Sequence, residues 1–236
     1  MNKLHIAWMY PNLLNLHGER GSIQALEEIG KNLGLDVTII RVEDFDDPVD
    51  FTSFDLLVFL PGEISSFRHL VPALKNDSFY EYVENGGHIL AIGTSGLMFG
   101  KSITREDGTV MECLGCLDMT AKERPYVWGD DLHLRLLDNK QEIVGSQIQM
   151  ADVEAANPLA TVLYGRGNNK TGVDGARYKN LLYTNCLGPL FVKNPWFAEE
   201  LLKDIVLTKM GITRKAPNTI ASDSFDSTLR FIATKQ

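Results

Sequence analysis

Three cysteines in 236 residues are too few for a disulfide framework. Histidine is scarce as well. There are five, and none follows His133, so the C-terminal part of the chain has no imidazole to offer a catalytic pair. No apolar run approaches the ~18 residues that a membrane-crossing helix needs. The opening MNKLHIAWMY is interrupted by Pro11-Asn12 before it reaches the length of a signal peptide's apolar region. No repeat, low-complexity block or Gly/Ser/Pro-rich linker divides the chain. Positive charge is also short. Lys and Arg number 23 against 31 Asp and Glu, and the net −8 disfavours broad contact with a phosphate backbone. These absences argue against a disulfide scaffold, a helical membrane protein and a general nucleic-acid binder. The expectation is a cytoplasmic protein with no membrane span and no nucleic-acid partner.

Cys113 and Cys116 form a C-x-x-C, which is half a zinc site or a redox pair. The chain has no second C-x-x-C and no H-x₃₋₅-H to complete a metal site. Their surroundings, TVMECLGCLDM, are mostly apolar and suit two packed thiols. Asp44, Asp46 and Asp47 in VEDFDDPVD lack the spacing of a calcium loop and read as a solvated acidic loop. No metal and no cofactor is expected.

What the chain does have is alternation. KLHIAWMY reads as a strand. LNLHGERGSIQALEEIGKNLGL reads as a loop and then a helix, with Ile23, Leu26, Ile29 and Leu33 at three- and four-residue spacing, Ser22 as a cap and Gly34 as a stop. DVTIIRV and FDLLVFLPG follow as strands, NDSFYEYVENGG as a helix and HILAIG as a fourth strand. Continuous apolar strands interleaved with helices predict right-handed βαβ units and a mostly parallel sheet covered on both faces. The second half, with LHLRLL, EIVGSQIQM, ATVLYG and NLLYTNCLG, predicts a more antiparallel region ahead of a last helix, NPWFAEELLKDIVLTKMG. One domain over 1–236 is expected, with a loosely held polar tail from about 212.

Ligands of open α/β sheets gather at the carboxyl ends of the strands. Two such ends stand out, FLPGE and AIGTSG, so Pro61, Gly62, Thr94 and Ser95 are the expected ligand loop. A helix beginning at the second would add its positive end for an oxyanion or carboxylate. GLMFGKS imitates a phosphate loop but is one residue too short between its glycines, and ITREDGT supplies a turn where a helix is required.

Together LNLHGERGSIQAL, FLPGE, the elbow after the fourth strand, EDGTVMECLGCLDM and GRGNNKTGVDGARYKNLLYTNCLGPL resemble the class I glutamine amidotransferases of the cobyric acid synthase type, in particular the branch that serves amidation of the cell-wall precursor lipid II. The resemblance covers most of residues 1–195. It implies a three-layer, flavodoxin-like α/β fold. It also implies an enzyme that hydrolyses glutamine and passes ammonia to a Mur-ligase-like, ATP-dependent synthetase in a heterodimer. The family attacks the amide with a cysteine at the elbow, shares its proton with a histidine, and holds the oxyanion on backbone N–H groups of the earlier loop.

This chain departs from that pattern at both reacting positions. Against the family's I-C-G-G it reads Ile92-Gly93-Thr94-Ser95, which puts Gly93 at the nucleophile position. Against T-Y-L-H-G-P it reads TNCLGP, which puts Leu187 at the histidine position. The substrate segment after EIVG reads SQIQMAD, which brings glutamine binding into question, and Arg124 falls near the family's substrate-carboxylate arginine. The expectation is therefore a subunit without glutaminase activity, a scaffold or regulator of its ligase. Two other readings stay open. One is an active amidase in which Ser95 replaces the cysteine with His69 as base, and the other is a non-enzymatic binder of a small carboxylate or amino acid. Cys186, beside the vacant histidine position, reads as an inert buried thiol, and Tyr126 and Trp128 read either as core or as anchors for a partner.

Overall fold

The computed structural model describes residues 3–43, 49–211 and 223–236. The first half runs β1 (Lys3–Met9), α1 (Arg20–Asn32), β2 (Asp36–Val42), β3 (Leu56–Phe59), α2 (Phe67–Leu74), α3 (Asp77–Glu84) and β4 (His88–Ile92). The second half adds β5 (Ser102–Thr104), β6 (Val110–Glu112), β7 (Met119–Leu136), β8 (Glu142–Ala155), β9 (Ala160–Tyr164), β10 (Val173–Asp174), β11 (Ala176–Tyr178), β12 (Leu181–Thr184), α4 (Leu190–Lys193), α5 (Pro195–Met210) and α6 (Asp223–Ala233).

The main sheet has the order β11-β12-β4-β3-β1-β2. Every neighbouring pair is parallel except β11 with β12. The two-residue side-chain period divides these apolar strands between two cores. Leu4, Ile6, Trp8, Leu56, Val58, Leu90 and Ile92 face α1 and α5, where they meet Leu26, Ile29, Leu202 and Ile205. Ala7, Met9, Leu57, Phe59, Ile89 and Ala91 face α2 and α3, where they meet Phe67, Leu70, Phe79 and Val83. Helices therefore cover both faces, as the continuous apolar runs predict. Each large side chain fully buried this way contributes about 1.5–3 kcal/mol.

The second sheet, β10-β9-β7-β5-β6 with β8 also on β7, is antiparallel apart from the β5–β7 pair. Its spine is the long β7–β8 hairpin, whose register shifts between Glu123 and Trp128. AKERPYVWGDD is thus part of a strand, with Pro125 inside the irregular stretch, where a missing N–H is tolerated.

Two expectations change on contact with the structure. The elbow does not open an α-helix: Gly93–Phe99 form a fully buried 3₁₀ turn. A Cβ on Gly96 would lie 1.9 Å from the Tyr183 ring, so this turn packs against β12 more closely than any side chain there would allow. Ser22 does not cap α1, which begins at Arg20, one residue after its N-cap Glu19; the Ser22 hydroxyl instead donates to Glu19 Oε2 at 2.9 Å. Of the tail from about 212, residues 212–222 lie outside the described residues, as do Asp44, Asp46 and Asp47. Beyond them, α6 sets Phe225 edge-on against Trp196 at 4.5 Å, buries Ile232, and is followed by Lys235, whose Nζ reaches Asp130 Oδ1 at 3.0 Å and Asp131 Oδ2 at 2.7 Å.

Candidate functional site

Strands β3 and β4 are parallel neighbours, so the loops at their carboxyl ends open on the same edge. The chain leaves β3 through Leu60-Pro61-Gly62 and β4 through Gly93-Thr94-Ser95. Gly93 adopts φ +64°, the left-handed region that turns the strand sharply. A Cβ built on it would stand 2.9 Å from Leu187 Cδ2 and 3.2 Å from Pro61 Cβ. The two positions that departed from the sequence pattern, far apart in the chain, therefore face each other in the fold.

Leu187 is fixed from two sides. Its backbone bridges Ser146, with N–H···O bonds of 2.8 Å in both directions. Behind it the Glu19 carboxylate, fully buried, accepts from the Gly188 N–H, from the Leu190 N–H at 3.1 Å and from the Ser22 hydroxyl. Burial pushes the Glu19 pKa above the ordinary carboxylate value, and those three hydrogen bonds oppose the rise. This contact gives the LNLHGERG motif a physical purpose, because its glutamate anchors the turn that presents residue 187. Sequence reasoning missed Glu19, although an acidic residue inside a quoted motif was the available signal.

Gly62, whose amide belongs to the expected oxyanion loop, donates its N–H to Thr94 Oγ1 at 3.1 Å, and the Thr94 hydroxyl lies 2.5 Å from the Gly62 carbonyl. Those groups are spent on each other. Ser95 is fully buried, with its hydroxyl 2.9 Å from the Phe59 carbonyl and 3.0 Å from that of Ile92, which is the turn role of a serine and not an exposed nucleophile. His69 sits on the exposed side of α2, where its Nε2 accepts from Arg68 Nε at 2.9 Å. The structure does not bring Ser95 and His69 together.

Arg124 lies buried in the irregular stretch of β7. Its Nη2 donates to the Gln149 carbonyl at 2.8 Å, its Nε stands 3.7 Å from Asp152 Oδ1, and Tyr126 covers its guanidinium at 5.0 Å. Tyr126 is exposed, while Trp128 is half-buried between Arg166 and Lys170. Burial raises the pKa of Cys113 to about 11 and of Cys116 to about 12, and pushes that of Cys186 well up, so none of the thiols is poised as a thiolate. Among the described residues no group of three His, Cys, Asp or Glu side chains could hold a metal ion.

A cavity of about 320 Å³ opens at this edge, between Gly62 and Thr94 on one side and Val127, Ile148 and Met150 of the β7–β8 hairpin on the other. His17 also lines it, in the left-handed conformation at φ +61°, and burial lowers the pKa of its imidazole.

A mostly parallel sheet covered on both faces, with a sharp elbow after β4 and a cavity at the strand ends, is the fold of the class I glutamine amidotransferases. Among solved structures, the glutaminase domain of Trypanosoma brucei CTPS with bound acivicin matches with a TM-score of 0.55 over 92% of this chain and 98% of that one, at 12% identity, a likeness of fold. No family model matches the chain. In sequence, the chain is similar to GatD. The GatD subunit of lipid II isoglutaminyl synthase (glutamine-hydrolyzing) from Streptococcus pneumoniae is 29% identical over 217 residues, spanning 89% of this chain and 83% of that protein. The corresponding subunit from Staphylococcus aureus is 29% identical over 210 residues, 86% and 84% of the two chains.

Proposed function

We propose that this chain is the amidotransferase-like subunit of an ATP-dependent amide ligase acting on a cell-wall precursor. In this reading it lacks glutaminase activity and serves a Mur-ligase-like partner as scaffold or regulator in a cytoplasmic heterodimer. The observation that carries the reading is the approach of Gly93 to Leu187. Hydrolysis of a primary amide needs a nucleophile and a proton carrier within reach of each other, and here a hydrogen atom faces a hydrocarbon. Where catalytic groups work as a unit, loss of one costs on the order of 10⁴–10⁶ in turnover. The bond between the Gly62 amide and Thr94 further supports the reading, since an oxyanion would have to displace it. The burial of Ser95 weighs against its use as a substitute nucleophile. Among the described residues no helix is long and apolar enough to cross a membrane.

The test is co-expression with the Mur-ligase-like protein of the same organism. The expected result is co-elution as a heterodimer, ammonia release from glutamine no higher than buffer, and amidation supported by ammonium salts but not by glutamine. Ammonia release that disappears in Ser95→Ala would overturn the inactive reading. Failure to co-elute with any such ligase would overturn the scaffold role.

A further inference from the structure

The cavity at the strand ends contains one ion pair in a lining of mostly apolar surface, which also includes His17 and the Glu63–Ser65 pair, where the Ser65 hydroxyl donates to Glu63 Oε2 at 3.1 Å. Arg105, directly after β5, donates through Nε to Glu123 Oε2 at 2.6 Å, and the Glu106 N–H donates to the same oxygen at 3.1 Å. Among the described residues, Glu123 Oε1 and the two Nη groups of Arg105 form no further bond. A carboxylate oxygen and guanidinium donors are thus left over on one side of the cavity. Leu16, Val127, Ile148 and Met150 supply hydrocarbon around them. The polar groups of the floor, Gly62 N–H and Thr94 Oγ1, are already bonded to each other.

We propose that this cavity binds a free α-amino acid with an apolar side chain, of about the size of leucine or methionine. This rests on the reading that the elbow does not hydrolyse glutamine. The ligand's carboxylate pairs with Arg105, its ammonium with Glu123, and its hydrocarbon packs against Leu16, Ile148 and Met150. Each charged contact is the charge-assisted kind that a partly desolvated wall strengthens. At about 320 Å³ the cavity stands at the small end of the ~300–1,000 Å³ typical of ligand sites, with room for an amino acid. Selectivity against glutamine follows from the floor. A primary amide that reaches the floor finds Gly62 and Thr94 engaged with each other, and on the rim Ser65 already donates to Glu63 at 3.1 Å, so it is penalised relative to a methyl or thioether group unless it reaches His17.

Calorimetric titration of the full chain tests this, with L-leucine, L-methionine and L-glutamine as ligands. 4-Methylpentanoic acid and 3-methylbutan-1-amine serve as analogues that each lack one charge. Leucine or methionine is expected to bind at least tenfold more tightly than glutamine, and each analogue at least tenfold more weakly than leucine. Arg105→Gln is expected to weaken leucine binding at least tenfold. So is Ile148→Asn, a wall residue more than a third exposed and outside the ion pair, which keeps the test decisive if the first variant misfolds. Equal or tighter binding of glutamine, or no heat from any aliphatic amino acid at millimolar concentration, would overturn the proposal. Ammonia assayed in the glutamine samples separates the two readings. Hydrolysis sinks the inactive elbow whatever the isotherms show, while absence of both binding and hydrolysis sinks only the amino-acid site.

Discussion

At the scale of single residues, the contact between Gly93 and Leu187 predicts a measurable coupling. Gly93→Ala places a Cβ on a φ +64° backbone, at a cost of about 1–2 kcal/mol, and drives it to 2.9 Å from Leu187 Cδ2. Leu187→Ala alone should cost ~2–5 kcal/mol, since the side chain is buried in the core that faces α1 and α5. The double variant removes the collision, so urea unfolding should show it less destabilised than the two single costs together by at least ~0.5 kcal/mol. Strict additivity would mean that the two positions do not touch. Glu19 gives a second prediction at this scale. Its folded pKa lies above the unfolded value of about 4.5, so its contribution to stability is complete below that value and fades as pH rises through the elevated one. Glu19→Gln leaves one of the Gly188, Leu190 or Ser22 donors without an acceptor and should destabilise by roughly 1–3 kcal/mol. The deficit should be largest in acid and shrink toward neutral pH in denaturation curves taken from pH 4 to 8.

At the scale of elements, α6 tests how far polar composition conceals packing. Phe225, Thr228, Leu229 and Ile232 fall at helical spacing on one face, and none of them is fully exposed. Surrounding Ser, Asp and Thr residues make the segment read as a loose tail, because one short apolar stripe is weak evidence against a polar background. Since α6 rests on so few apolar contacts, Ile232→Ala should release it locally and leave the global unfolding midpoint little changed. Limited proteolysis would check this, with faster cleavage expected inside 223–236 and an intact remainder. The same contrast explains what was legible elsewhere. The parallel strands declared themselves because burial on both faces demands unbroken apolar runs such as FDLLVFL and HILAI. The elbow's position was readable for the same reason, while its 3₁₀ form was not, because it depends on Tyr183 pressing against Gly96 from β12. Glu19, the bond from Gly62 to Thr94 and the Arg105–Glu123 pair belong to contacts between distant segments, and no periodicity records those.

At the scale of the whole molecule, the question is whether two sheets hold the strand ends where amide chemistry would need them, so that a few side chains separate this chain from an active one. The main sheet fixes the elbow at the end of β4. The Ser146 bridge from the second sheet and the Glu19 anchor from the N-terminal motif jointly fix the turn at Leu187. If the scaffold is sound, chemistry should return in steps. Gly93→Cys alone should stay silent in a glutaminase assay, since the side chain facing it is the hydrocarbon of Leu187. Adding Leu187→His supplies the base and relieves the collision at Cδ2, and a weak, glutamine-dependent ammonia release is expected. Thr94→Gly in addition frees the Gly62 N–H for the oxyanion; one such donor is worth about 10²–10³ in turnover, so the triple variant should exceed the double by a factor in that range. The strained left-handed φ at residue 93 should lower the stability of all three variants, and Leu187→His and Thr94→Gly each add a cost of their own, so unfolding midpoints that stay above the assay temperature across the series would separate lost chemistry from lost folding. A triple variant that folds and remains silent would mean that activity requires changes past these positions, in the walls of the cavity.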